Sequence, residues 1–324
     1  MITFDNMVLT VDGMWLKKVD PLNPLDLPQN TVRVRTSDGN APYNARAWYE
    51  TATLVPGTRD KYDVYKSGNS FYGLLLDSTN VTEVLGANTT GITTMQGMFS
   101  GCTSLKSVQL FDTSSVTYMV GMFSDCTSLT SVPLFDTSSV TNMNGAFTRC
   151  SSLTAVPLFD TSNVYSFANA FYGCTSLTSV PLFDTSSAIY MNDMLGNCIS
   201  LTSVPLFNTS TVEYMSRMFK GCTSLTIVPL FNTSNVILMS GAFRGCTSLT
   251  AIPVFNTSHV TDIDGAFYGC VNVESGALAL YQQMSGQTNP PSSYADCFFE
   301  CGSNTTTGAA ELAQIPSSWG GTST

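Results

Sequence analysis

The chain carries a single histidine in 324 residues, His259, and that scarcity narrows its chemistry. A Ser-His-Asp or Cys-His nucleophilic site would need this residue as its base. It stands in NTSHV, where the neighbouring repeats have Ser, Asn or Thr, and no partner recurs at a fixed spacing from it. An exposed turn histidine is expected. Cations are scarce too: 13 Lys and Arg face 23 Asp and Glu, a net charge of -10. Beyond residue 77 there are five basic and fourteen acidic residues, so that part repels phosphate backbones and anionic membranes, and nucleic acid is not an expected partner. No segment approaches the run of about 20 apolar residues that a spanning helix needs, so membrane insertion is not expected. The start, MITFDNMVLTVDGMWLKK, has neither a basic n-region nor a long apolar stretch, and no signal peptide is expected. A phosphate-binding glycine loop, a zinc motif and a paired-carboxylate site are all missing. Neither a cofactor nor an enzymatic activity is therefore expected.

What is present is a repeat. Cys102, Cys126, Cys150, Cys174, Cys198, Cys222, Cys246 and Cys270 recur every 24 residues. A degenerate unit precedes them, because Val81, Val84, Asn88, Ile92, Met95, Met98 and Phe99 fall at the phases of Leu105, Val108, Asp112, Val116, Met119, Met122 and Phe123. The array is thus expected to start near Ser78. Cys297 and Cys301 look like an isolated CxxxC, but ADCFFECG aligns with GAFYGCV at 265–271. Cys301 then continues the ladder after a unit lengthened to 31 residues, and Cys297 takes the phase of Ala266. In the added length, Leu278, Leu280, Tyr281 and Met284 predict a short helix stopped by Gly286.

Within a unit the apolar residues Leu129, Val132, Leu134, Phe135, Val140, Met143, Ala146, Phe147 and Cys150 fit neither a 3.6 nor a 2.0 period. A solenoid coil accommodates them: a short strand at SLTSVPL, a turn at FDTSS, a second extended piece at VTNM and a tight return at GAFTRC. Each coil is too small to bury its apolar face alone, so stacking supplies the core. Pro133, Pro157, Pro181, Pro205, Pro229 and Pro253 share one phase and remove one ladder hydrogen bond per coil, which predicts a first strand of a few residues ending there. Residues 1–77 read as a small β-rich domain, with a hairpin in MVLTVDGMWL turning at Asp12-Gly13 and a strand in TVRVRTSDGN ending at Asp38-Gly39. Residues 302–324 read as a C-terminal cap and polar tail.

The combination MFxxCxSLxxV followed by FDTSxVxxM resembles the BspA-like leucine-rich repeats of bacterial surface proteins, in the subgroup with MFxGCxSL and FDTSNVTxM. The likeness covers about residues 78–301. It implies a mainly β fold, a leucine-rich-repeat solenoid of 24-residue coils with short parallel strands, used for adhesion or host interaction at the cell surface. The strand-turn segment VPLFDTS is shorter than the family's LDLxxFDTS, and the family's secretion signal is not seen. A bacteriophage virion protein, with the repeat in a fibre or receptor-binding part and residues 1–77 as the attachment end, is a second setting.

Two roles remain open. One is extracellular recognition of a host or cell-surface protein or glycan. The other is a structural virion component, a spacer or decoration docked to a virion or envelope partner through residues 1–77. The fibre setting also leaves a homo-oligomer open.

The stacked cysteines recur about 4.8 Å apart, but parallel side chains keep their Cβ atoms too far apart to bridge without distortion. A buried column of free thiols is expected. Asp112, Asp136, Asp160 and Asp184 share a phase with Asn208, Asn232 and Asn256. Calcium would use such oxygens. The exchange of Asp for Asn favours turn capping instead. NTS at 208, 232 and 256 matches the N-glycosylation pattern as a by-product of the repeat.

Comparing units shows where the fold stops dictating residues: the outward phases around VTNMNGAFTR. Tyr118, Arg149, Tyr165, Tyr172, Tyr190, Tyr214, Arg217, Lys220, Arg244 and Tyr268 lie there. Stacking would align them as a strip of tyrosines and cations suited to contact with a partner. Individually they also fit unconstrained surface.

Overall fold

The computed structural model describes residues 26–43 and 49–323, with the backbone of three short strands nearer the N-terminus. Those strands, β1 (Thr3–Phe4), β2 (Met7–Val8) and β3 (Lys17–Lys18), pair antiparallel, Met7 opposite Lys18. The Asp12-Gly13 turn lies outside the described residues. β4 (Thr31–Thr36), β5 (Thr51–Leu54), β6 (Lys61–Tyr65), β7 (Val81–Asn88) and β8 (Ser107–Val108) form one sheet in the order β5-β6-β4-β7-β8, antiparallel except for the parallel pair β7-β8. Alternation in TVRVRT sends Val32 and Val34 into the core, while Arg33 pairs with Asp63 at 2.6 Å on the other face. Helix content is low: α1 (Ala277–Ser285) and α2 (Thr306–Leu312) are the α-helices among the described residues. α1 ends at Gly286, where the periodicity placed its stop.

From residue 70 onward the chain stacks on itself in register. Single parallel bridges join Ser70 to Thr94, Thr94 to Tyr118, Tyr118 to Asn142 and so on to Asp262, each step 24 residues; the last, Asp262 to Ser293, spans the lengthened unit. This ladder begins ahead of Ser78, and its first rungs share one hydrophobic core with β4, β6 and β7.

The expected strand at SLTSVPL does not form in the proline-bearing units. The strands present, β7 and β8, belong to the two units whose proline phase holds Leu85 and Gln109 instead. There the Gln109 N–H donates to the Val84 carbonyl at 2.9 Å, a bond that proline cannot make. From Pro133 on, the segment is extended and its proline phase has no donor. Several coils keep a longer bond three residues before the proline, Thr154 N–H to the Thr130 carbonyl at 3.3 Å among them, and Ala251 bridges Ser275; the return turn adds the denser set of bonds. In that turn alternate amides point to the next unit: Met143, Gly145, Phe147 and Arg149 donate to Ser166, Ala168, Ala170 and Tyr172. The amides between them close local bonds, as in Ala146 to Met143 and Thr148 to Gly145. This alternation needs left-handed backbone at two phases. One is held by Gly97, Gly121, Gly145, Asn169, Asp193, Arg217 and Gly241; the other by Asp125, Arg149, Gly173, Asn197 and Gly221. Glycine is the residue without a Cβ penalty there, which explains its recurrence and marks Arg149, Arg217 and Glu300, which precedes Cys301, as exceptions.

Side chains complete the stacking. The buried Thr113, Thr137, Thr161, Thr185, Thr209 and Thr233 each donate to the Asp or Asn carbonyl of the next unit at 2.7 to 2.8 Å. The Asp and Asn side chains cap their own turns, as where the Ser138 N–H donates to Asp136 Oδ1 at 3.0 Å. Every cysteine is free and buried, and Cys102 through Cys270 each donate to a carbonyl of the preceding unit, Cys126 Sγ to the Phe99 oxygen at 3.1 Å. Burial pushes the thiols up, Cys222 and Cys270 to about 12. Phe99, Phe123, Phe147 and Phe171 stack with centroids 5.4 to 5.5 Å apart. Phe298 continues that column on Phe267 at 5.8 Å, which places Cys301 on the phase of Cys270. The end of the chain folds back as a cap: Trp319 is buried, stacks on Tyr294 at 4.1 Å, and accepts from the Phe298 N–H through its carbonyl.

Candidate functional site

The residues of the expected strip fall into separate groups. Tyr118, Tyr190 and Tyr214 are bridge residues of the ladder, so their backbones are tied to the units on both sides while their rings face out. Tyr190 and Tyr214 stack at 5.0 Å with planes 11° apart, and Tyr165 meets Tyr190 edge-on at 6.4 Å. Asn142 Nδ2 donates to the Tyr165 hydroxyl at 2.8 Å. Tyr118 is apart from these three, separated from them by the unit that carries Asn142. Tyr172 is engaged locally: its hydroxyl accepts from Asn197 at 2.8 Å, and its ring covers the space that a Cβ at Gly196 would need. Arg149 also serves the stack, in a two-bond ion pair with Asp125 of the preceding unit.

The cations further along converge. Arg217, Lys220 and Arg244, from two consecutive units, line an open pocket of about 280 Å³ with Ser240, Gly241 and Asp264. Three of the five basic residues beyond residue 77 therefore meet at one place. Arg217 pairs with Asp193 at 2.9 Å, and this hydrogen-bonded carboxylate raises the guanidinium pKa further. Among the described residues neither Lys220 nor Arg244 has a carboxylate within salt-bridge distance. The Arg244 guanidinium lies 4.0 Å over the Tyr268 ring, and Tyr268 stacks in turn on Phe299 at 4.8 Å, so aromatic surface holds this cation in place. Asp264 accepts from Ser293 Oγ and the Ala295 N–H, both at 2.7 Å. The pocket thus presents two cations without carboxylate partners on one side and a carboxylate with spare acceptor capacity on the other.

His259 has a structural task. Its Nδ1 donates to the Ser234 carbonyl at 2.7 Å, just as Ser139, Asn163, Ser187, Thr211 and Asn235 bond across units at the same phase. A carbonyl only accepts, so Nδ1 holds the proton and is not free to take one from Ser258, 3.3 Å away.

The expected core set contained one misplaced column. Leu134, Leu158, Leu182, Leu206 and Leu230 are 58 to 61% exposed, and Leu110 and Val254 continue the row at 39 and 47%. Next to each, the phenylalanine column of Phe135 is buried. In extended chain, adjacent side chains point to opposite faces, so Leu and Phe of one LF pair cannot both enter the core. That adjacency was the available signal.

Residues 69–180 match the family described as "Mycoplasma protein of unknown function, DUF285", and residues 168–279 match the BspA type leucine rich repeat region in six copies. No curated protein matches the chain. Among solved structures it is similar to the T. pallidum leucine rich repeat protein at 21% identity, covering 66% of this chain and 90% of that one, with a TM-score of 0.39. A leucine-rich repeat protein from Eubacterium ventriosum is 20% identical over 58% of this chain and 62% of its own, TM-score 0.36. A leucine rich cell surface protein from Faecalibacterium prausnitzii is 18% identical over 67% and 79%, TM-score 0.28. Among the described residues no helix is long and apolar enough to cross a membrane.

Proposed function

From a chain whose residues 168–279 match BspA type leucine rich repeats, we propose a non-enzymatic recognition protein that acts outside the cell and binds an acidic group on a surface glycan. The array serves as a solenoid of 24-residue coils, a reading supported by the bridges at that interval. The observation that carries the binding role is the convergence of Arg217, Lys220 and Arg244 in a chain of net charge -10. At physiological ionic strength the Debye length is about 8 Å, so an approaching anion feels this local cluster more than the distant acids. The pocket walls are mostly polar, and the volume is at the small end for ligand sites, which suits a sugar acid or sulfated sugar better than an apolar anion. Asp264 supplies an acceptor for sugar hydroxyls. The nearby Tyr190-Tyr214 stack offers aromatic surface to further residues of the same chain of sugars. The reading rests on this face and serves a cell envelope or a virion alike.

Immobilised hyaluronan, dextran sulfate and neutral dextran test it. The protein should be retained by at least one acidic polymer and released by salt, and should pass over neutral dextran. Hyaluronan separates carboxylate from sulfate as the recognised group. Lys220→Gln with Arg244→Gln should weaken retention about tenfold or more, the usual effect of losing charge-assisted bonds. Equal binding of wild type and double variant would remove the pocket from consideration.

A further inference from the structure

The basic pocket also holds a carboxylate, Asp264, and for a ligand that is only an anion this residue works against binding. The repeat shows that the fold does not require that charge. Asn192, Ser216 and Ser240 stand at the phase of Asp264 in the three preceding units. Asn192 Oδ1 accepts the Ser216 N–H of the next unit at 3.0 Å, the same bond that Asp264 Oδ1 makes with the Ala295 N–H at 2.7 Å. A neutral amide thus completes this stacking contact. Lys220 and Arg244 are equally free of the repeat's demands, since Thr148, Tyr172 and Gly196 precede them at their phase.

Opposite charges that line one small pocket ordinarily pair, and these do not: among the described residues no salt bridge joins Asp264 to Arg217, Lys220 or Arg244. Arg244 and Asp264 are each held from their own side. The Arg244 guanidinium rests 4.0 Å over the Tyr268 ring, and a Cβ added at Gly265 would stand 3.4 Å from its Nη1, so the side chain lies along the next unit. Asp264 is fixed by Ser293 Oγ and the Ala295 N–H of the lengthened unit. A pocket with a fixed positive and a fixed negative pole is complementary to a ligand that carries both charges in the opposite order. Sugar hydroxyls alone need no such charge, because Ser240 in the same pocket is a neutral acceptor. We propose, resting on the acid-binding reading above, that the ligand is zwitterionic: an acidic sugar whose own or neighbouring amino group is unacylated and so an ammonium. Its acid meets Lys220 and Arg244, and its ammonium donates to Asp264, with charge-assisted bonds at both ends. An acylated amino sugar leaves Asp264 beside the bound acid with no cation to offset it.

Two pairs of immobilised polymers test the proposal on the full chain, each pair differing only in the amine. One is hyaluronan and its N-deacetylated form; the other is N-desulfated heparin after and before N-acetylation. The wild type should bind the free-amine member of at least one pair more tightly, by about threefold or more, the scale of an ion pair in a partly exposed site. A free amine also lowers the polymer's negative charge, which by itself eases approach to a protein of net charge -10, so Asp264→Asn decides between the two causes. That variant keeps the oxygen that suffices at Asn192 and removes one charge. It should bind the acetylated polymers at least as well as the wild type and lose the preference for the amine, with an unchanged circular dichroism spectrum. Asp264→Ser, the residue at this phase in the two preceding units, should do the same. Wild-type binding that is equal or weaker on the free-amine members, or a preference that persists in both Asp264 variants, would overturn the proposal while retention on the acidic polymers leaves the pocket reading standing. Retention on none of the four polymers would remove that reading, and the zwitterion with it.

Discussion

Replacing each of the two left-handed arginines by glycine should give unequal results, although the residues are alike in sequence and backbone. Arg149 and Arg217 both have φ of 57°, and each pairs with an aspartate 24 residues earlier. Glycine relieves a left-handed cost of about 1 to 2 kcal/mol. It returns about 0.5 to 1 kcal/mol of that through its greater freedom in the unfolded chain. The backbone gain is therefore about 0.5 to 1 kcal/mol at both sites. The ion pairs differ. Side chains of Arg149 and Asp125 are 59 and 34% exposed, so their pair contributes about 0.2 to 1 kcal/mol and Arg149→Gly should be close to neutral. Asp193 is only 9% exposed, and removing Arg217 strands a nearly buried carboxylate. Stranding a fully buried charge costs about 3 to 5 kcal/mol. With Arg217 itself 53% exposed we expect about half of that, for a net loss of about 1 to 2 kcal/mol. Asp193→Gly with Arg217→Gly should recover the loss, because it restores the glycine pair found at Gly121 and Gly145. Urea unfolding followed by circular dichroism, compared at equal m, measures all four proteins. Equal changes for the two single variants, or no recovery in the double, would refute burial of the acid as the deciding factor.

Three further outcomes follow from the stacking. Thr161→Val keeps the shape but removes the part-buried 2.8 Å bond from the buried Thr161 hydroxyl to the Asp184 carbonyl, and should cost about 0.5 to 1.5 kcal/mol in the same assay. The ten thiols should react with an aromatic disulfide only at the rate of unfolding, even near pH 9, and promptly in denaturant; fast stoichiometric labelling of the native chain would contradict the buried column. Asp125, Asp136 and Asp184 have pKa values below the ordinary carboxylate range, Asp125 chiefly through its bond with Arg149 and the other two through serine hydroxyls. Their contribution is present above the unfolded-state value near 4 and is lost as pH falls through the lower folded values, so urea midpoints should decline below about pH 4; a midpoint that rises there would contradict these assignments.

Much of the architecture was legible in the residues because repetition amplifies it. The 24-residue interval, the cysteine and threonine columns, the Asx turn caps and the helix ending at Gly286 each follow from residue type and phase. The placement of Cys301 needed only alignment within the chain. Where the reading failed, a local rule met a competing one. Proline at one phase predicts a shortened strand, and in the proline-bearing units no strand forms, because the missing donor removes the rung that Gln109 makes. Hydrophobicity alone groups Leu134 with the buried positions, although the buried Phe135 beside it leaves only the outward direction.

By itself the sequence determined the repeat, its length, the buried columns and the variable phases, since these depend on identities recurring at one interval. The tertiary structure alone decided which variable residues meet. Tyr172 and Arg149 are tied to neighbouring units by Asn197 and Asp125, while Arg217, Lys220 and Arg244 line one pocket from two units. Likewise it alone turned a row of leucines outward. Proximity between units is fixed by how far each turn rotates the side chain about the stacking axis, and residue spacing along the chain does not encode that angle.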